Sequence, residues 1–208
     1  MCGTSRYGRA RMARLALLVL LLVATPGVAD DGWQRVDEEH GIVVDARDVP
    51  GSSLHEVRAS IHSELPPERI AAVVWRYEEH DRFVPRLQHV EVVRDVGPDE
   101  RIVYEQLALP LLKDRDVVLR ARRETAADGT IDIRTTAIDG EGPPATSRFV
   151  RVQTSAGHWH LAPAAGGTDV VYDIRTDVGG AVPAWIVNRA QREAIPDLVK
   201  AMLDRAGG

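Results

Sequence analysis

The chain has 208 residues, with 31 acidic against 26 basic side chains, a formal charge of −5 and a single cysteine, Cys2. This balance excludes a nucleic-acid partner of the usual kind, whose phosphates are held by clustered Lys and Arg. One thiol excludes an internal disulfide.

The chain opens with Arg6, Arg9, Arg11 and Arg14, an apolar run from Leu15 to Ala24, and small residues at Gly27 and Ala29. Basic flank, short apolar run and small-residue end predict a signal peptide over residues 1–29, cleaved before Asp30. The run is shorter than the ~20 residues a membrane-spanning helix needs. Cys2 precedes the run, so it is not placed for lipid modification at the cleavage point. The expected product is one exported domain, 30–208, periplasmic or secreted and monomeric. It lacks cysteine, and Lys+Arg falls from 26 to 22 against 31 acids. A chain of this size buries roughly 70% of its unfolded surface, enough for a core without disulfides.

Short strands follow. Gly41–Arg47 and Leu54–Ile61 flank a turn at Val49-Pro50-Gly51-Ser52 and predict a hairpin. Pro66-Pro67-Glu68 opens a helix whose apolar face is Ile70, Val73, Val74 and Tyr77 and which fails near Val84-Pro85. Strands are then expected at 90–96, 102–109, 116–123, 130–138, 149–161 and 169–176, with Asp128-Gly129 as a hairpin turn. The last helical pattern, Val182–Ala206, carries Val187, Ala190, Ala194, Leu198 and Ala201 as a stripe and Asn188, Arg189, Arg192, Glu193 and Lys200 as a polar back. Pro196 should kink or break it. This order predicts an α+β fold, an antiparallel sheet with helices on one face and charge on the other. Val117, Leu119 and Ala121, then Ile131, Ile133 and Thr135, then Val170, Tyr172 and Ile174 occupy the apolar face by strand alternation.

No catalytic constellation with specific spacing is present. His158 and His160 share a strand face, but a metal needs a further ligand and no spaced His/Asp/Glu pattern accompanies them, so no metal site is expected. Asp114-Arg115-Asp116 reads as a charge group fixing the start of a strand, and Glu105 as a lone acid. Glycine does not precede a helix in a phosphate-cradling loop, because Gly140-Glu141-Gly142 runs into Pro143-Pro144.

Several stretches in order carry a resemblance. They are Trp33, Gly41-Ile42-Val43-Val44, the PGS turn at Pro50, and Pro67-Glu68-Arg69-Ile70 through Asp81-Arg82-Phe83-Val84-Pro85. Leu109–Val118 with its Arg115-Asp116, Gly157-His158-Trp159-His160-Leu161-Ala162-Pro163, and Pro183-Ala184-Trp185-Ile186-Val187-Asn188 complete the series. The chain resembles the START domain family of the Bet v 1-like (SRPBCC) superfamily, in its exported bacterial form, over residues 33–206. Phe83 stands where a tryptophan is common, and Pro196 departs from the pattern.

The resemblance implies a helix-grip fold, a sheet wrapped around the terminal helix with a hydrophobic cavity between them. It implies a lipid or similar apolar ligand, no required cofactor, no catalytic residue, and transient contact with a membrane surface. Ala190, Ala194 and Ala201 leave room beneath the helix, and large aromatic fillers are scarce, with two Phe and four Tyr. The expected cavity residues are Tyr104, Leu119, Ile133, Tyr172, Ile174, Trp185, Val187, Ala190 and Ala194. Glu105, Arg115 and Asp116 are the polar candidates in the cavity or at its mouth, and the entrance is expected between the 140–144 loop and the start of the last helix. Two alternatives stand: a cyclase, aromatase or hydratase using Glu105 or Asp116 inside the cavity, and a ligand-free adaptor binding a protein through the charged face.

Overall fold

The computed structural model describes residues 31–109 and 112–208. The predicted signal peptide lies outside the described residues, as do Pro110 and Leu111 of the Leu109–Val118 stretch. The elements run β1 Gln34–Glu39, β2 Ile42–Asp48, β3 His55–Ser63, α1 Pro67–Trp75, a 3₁₀ helix Tyr77–Arg82, β4 Leu87–Gly97 and β5 Glu100–Leu107. They continue as β6 Arg115–Thr125, β7 Ile131–Ala137, β8 Val150–Arg151, β9 Thr154–Ala164, β10 Gly167–Asp177 and α2 Ala184–Gly207. The sheet order is β1-β2-β3-β10-β9-β7-β6-β5-β4, antiparallel throughout, with β8 added parallel to β6. The fold is the α+β helix-grip arrangement expected from the sequence.

Local chemistry explains most boundaries. Pro50 and Gly51 occupy the two centre positions of a turn closed by Ser52 N–H donating to Val49 O at 3.0 Å, with Gly51 at φ 76°. That positive φ suits glycine, and the turn sets the β2–β3 register. Pro67 sits in the first turn of α1, where a missing N–H breaks no bond. The inner face then collects Val44, Val57, Ala59, Val103, Ala121, Ile131, Ile133 and Leu161 against Ile70, Ala71 and Val74 of α1 and Ile195, Val199, Met202 and Ala206 of α2.

Four features depart from expectation. β1 was not foreseen, because all six of its residues are exposed and no apolar alternation marks an edge strand wet on both faces. The first helix ends at Trp75, where Arg76 leaves helical geometry at ψ 67°, and Tyr77 starts a separate 3₁₀ segment. α2 does not break at Pro196, which is buried between Ile195 and the next turn of the helix, where Val199 and Met202 join the core. Tertiary packing here outweighs the one backbone bond that proline removes. Finally, the outer face is not uniformly wet. Ile102, Tyr104 and Val118 form a second buried cluster there, with Gly142 pressed so closely on Val118 that a Cβ at Gly142 would clash with the Val118 side chain.

The polar back of α2 also holds a surprise. Asn188 is buried, donating from Nδ2 to Ser53 O at 3.0 Å and accepting from His55 N–H at 3.0 Å through Oδ1. One side chain thereby pins the start of α2 to the β2–β3 turn. Asn188→Ala removes two part-buried hydrogen bonds, each worth about 0.5–1.5 kcal/mol, and is expected to lower unfolding stability by about 1–3 kcal/mol in urea titration.

Candidate functional site

Between α2 and the inner face of the sheet the side chains do not close up. A pocket of about 450 Å³ remains, inside the ~300–1,000 Å³ range of small-molecule sites. The helix lines it with Val187, Ala190, Ala194, Leu198 and Met202, one face at spacings of three and four. The sheet contributes Leu107, Val117, Leu119, Thr135, Trp159, Tyr172 and Ile174. Small residues on the helix and β-branched or aromatic ones on the strands thus make a concave, mostly apolar wall. Val187 is buried, whereas Ala190 and Ala194 are only half-buried, and all three line the pocket.

A few polar groups interrupt this wall. Glu105 on β5 shares a strand face with Val103 and Leu107, so its carboxyl enters the pocket instead of bulk water. Burial pushes its pKa from 4.5 up to about 7. Tyr77 and Tyr172 also line the pocket, and burial, then the nearby Glu105 charge, raises both phenols. Tyr172 is held in place by stacking on Trp159 with ring centroids 4.4 Å apart. His80 places its Nε2 3.0 Å from Val73 O, and burial lowers its pKa, which keeps the ring neutral. Gln191 donates to Thr176 O at 3.3 Å, while its buried Oε1 has no hydrogen-bond partner among the described residues. The pocket therefore offers a few hydrogen-bond donors and acceptors within a mostly apolar wall.

Arg115 is 3% exposed and lines the pocket. It donates to Val178 O at 3.0 Å and Gly179 O at 3.1 Å, and also to Lys113 O, so it latches the start of β6 to the segment leading into α2. Leu109, Leu112, Val182 and Ile186 line the same pocket, and Leu112 is 40% exposed.

This architecture is matched by comparison with known proteins. The START domain family model matches residues 18–207. The chain belongs to the START domain family. A STAR-related lipid transfer protein fragment from Xanthomonas axonopodis superposes with a TM-score of 0.79 at 27% identity, covering 86% of this chain and all of that one. Human STARD10 shares the fold at TM-score 0.76 and 18% identity, over 84% of this chain and 73% of its own. The uncharacterized protein PA1579 of Pseudomonas aeruginosa is 28% identical over 201 residues, 96% of this chain and 98% of its own.

In this START domain, Leu119, Tyr172, Ile174, Val187, Ala190, Ala194, Glu105 and Arg115 all line the pocket. Four other expected residues do not. Tyr104 and Asp116 lie on the outer face, as they must, because adjacent residues on a strand point to opposite sides and Glu105 and Arg115 face inward. Ile133 does face inward but is fully buried where α1 packs on β7. Trp185 is 67% exposed, since Ile186 and Val187 are the residues of the first turn that turn inward. The 140–144 loop is likewise no entrance. Glu141 pairs with Arg94 and Arg120, and Pro143 O accepts from Arg151 at 2.9 Å, so the loop seals the outer cluster. Met202, Leu198 and Thr135 were missed as pocket residues, although their spacing from Ala194 and Ile133 placed them on the same faces.

Proposed function

We propose that this protein binds a lipid or similar apolar small molecule in the pocket between α2 and the sheet, as a carrier or sensor. The observation that carries this reading is the apolar gap of about 450 Å³ in a START-family chain. The Xanthomonas axonopodis protein, described as a STAR-related lipid transfer protein, supports this reading. Burial of an acyl chain or fused ring system at about 25 cal/mol per Å² supplies the drive. Glu105, Tyr77, Tyr172 and the unpaired Gln191 Oε1 suit a ligand carrying one or two neutral hydroxyl or carbonyl groups, not a fully charged head. The reading extends to an exported monomer, cleaved before Asp30, that meets a membrane surface when it loads or unloads. N-terminal sequencing of the protein recovered from the periplasm or medium tests the export.

Filling the pocket tests the binding. Ala194→Phe places a ring where the ligand would lie and is expected to cut uptake of fluorescent fatty-acid and sterol probes at least tenfold, with far-UV circular dichroism unchanged. Native mass spectrometry of the wild-type chain should show a co-purified apolar species. Empty protein that also takes up no probe overturns the reading.

A second reading has one observation behind it. Glu105 is a pocket carboxyl with a pKa of about 7, the condition for a general acid or base near neutrality. On that reading Glu105→Gln abolishes turnover of the bound substrate while leaving it bound. On the carrier reading the same variant alters affinity by no more than a few-fold.

A further inference from the structure

His158 and His160 project from the outer face of β9, on the side opposite Trp159 and the pocket. The pairing of β7 with β9 brings them a third group, because Asp132 stands directly across from His160. Asp132 Oδ1 lies 2.5 Å from His158 Nε2 and 3.0 Å from His160 Nδ1. The three donor atoms all fall within 4.8 Å of one another, and the three residues are partly buried.

We propose that Asp132, His158 and His160 form a binding site for a borderline-soft divalent transition-metal ion, Zn²⁺ above all. Two imidazole nitrogens and one carboxylate oxygen are a donor set that zinc accepts, with a fourth position left to water or an outside ligand. Tetrahedral donors about 2.1 Å from zinc stand about 3.4 Å apart, so the two oxygen–nitrogen separations of 2.5 and 3.0 Å need open by less than about 1 Å, and the two nitrogens, within 4.8 Å of each other, need close by at most about 1.4 Å. Rotation of partly exposed side chains supplies that movement. The backbone needs none, since β7 and β9 are interior strands of the sheet and already hold the three Cα atoms in register.

The surroundings separate this trio from ordinary ion pairs. A histidine pair such as His62 with Asp169 places one ring on one carboxylate. Here both rings converge on the same oxygen, where Arg134 Nη2 also arrives at 3.3 Å. That guanidinium is a competing cation on the same oxygen, and its side chain is 52% exposed, free to swing into solvent when an ion displaces it. Asp128 in the β6–β7 turn interacts with His160 and adds negative charge beside the site. Asp173, opposite His158 on β10, is held by Arg58 at 2.7 and 2.9 Å and does not serve as a fourth ligand. The ion clips β7 to β9 on the face away from the pocket, so its binding is independent of the apolar ligand.

Calorimetric titration of the untagged, chelator-treated full chain with Zn²⁺ alone tests the site. One equivalent is expected to bind, the melting temperature should rise with Zn²⁺ concentration, and Co²⁺ in its place should give the d–d absorption of a low-coordinate site. His158→Ala and Asp132→Ala should each weaken uptake by at least the 10- to 100-fold that lesser changes around metal sites cause. Arg134→Gln should tighten it, because the competing charge is gone. His62→Ala should leave it unchanged, and circular dichroism checks that each variant is folded. Absence of one-to-one uptake, equal binding by folded His158→Ala, or equal loss in His62→Ala overturns the proposal.

Discussion

Replacing Asp116 with alanine is expected to destabilise the protein by about 3–5 kcal/mol, the effect of leaving a buried charge without its partner. Asp116 is 1% exposed and accepts from Arg151 Nε at 2.9 Å, Arg151 Nη2 at 2.8 Å and Tyr104 Oη at 3.1 Å. The Arg151 side chain is only 10% exposed, so it cannot turn to water without unpacking its surroundings. Backbone bonds make the cluster a fastening. Val150 N–H donates to Asp114 O at 3.0 Å and Val152 N–H to Asp116 O at 2.8 Å, which holds β8 against β6 and the 140–144 loop over Val118. Urea titrations of Asp116→Ala, Arg151→Met and the double variant measure the effect. The double variant should be more stable than Asp116→Ala alone, since it removes the stranded charge. A loss below about 1 kcal/mol in Asp116→Ala would show that the guanidinium escapes to solvent and would refute the fastening role.

Glu105 governs the second large effect. Its pKa lies at 4.5 when exposed and at about 7 in the folded protein. The native state therefore holds the proton more tightly than the unfolded state between these values, and stability falls as pH rises through that window. The loss begins as the unfolded chain ionises near pH 4.5 and is complete above about pH 7, where both states are charged. A displacement of this size corresponds to about 3 kcal/mol. Glu105→Gln keeps the shape and cannot ionise, so it should equal wild type near pH 4 and exceed it by about 3 kcal/mol near pH 8. Unfolding titrations at four pH values between these limits check the slope. A wild-type-to-variant difference that stays flat across the window would mean the carboxylate is solvated or paired, and would remove the neutral-acid character on which both readings of the pocket draw.

The fold was legible because strand alternation and helical spacing are local. Pro50-Gly51 and Asp128-Gly129 marked turns, Pro67 a helix start, and Val187, Ala190, Ala194 and Leu198 one helix face, all by chemistry within a few residues. Alternation alone could also have separated Glu105 from Tyr104 and Arg115 from Asp116, since neighbours on a strand cannot share a face. Edge strand β1 left no such mark, as neither of its faces is buried and no pattern was required of it. What the sequence by itself determined is the layering, a sheet with one apolar face beneath a terminal helix of small residues. Which inward residues meet space and which meet α1, as Leu119 and Ile133 respectively do, was decided only when the helices docked. The same holds for Asp116 with Arg151, 35 residues apart, and for Asp132 with His158 and His160, 26 and 28 apart. Strand pairing over such separations follows from the register of the whole sheet, which no short stretch of chain encodes.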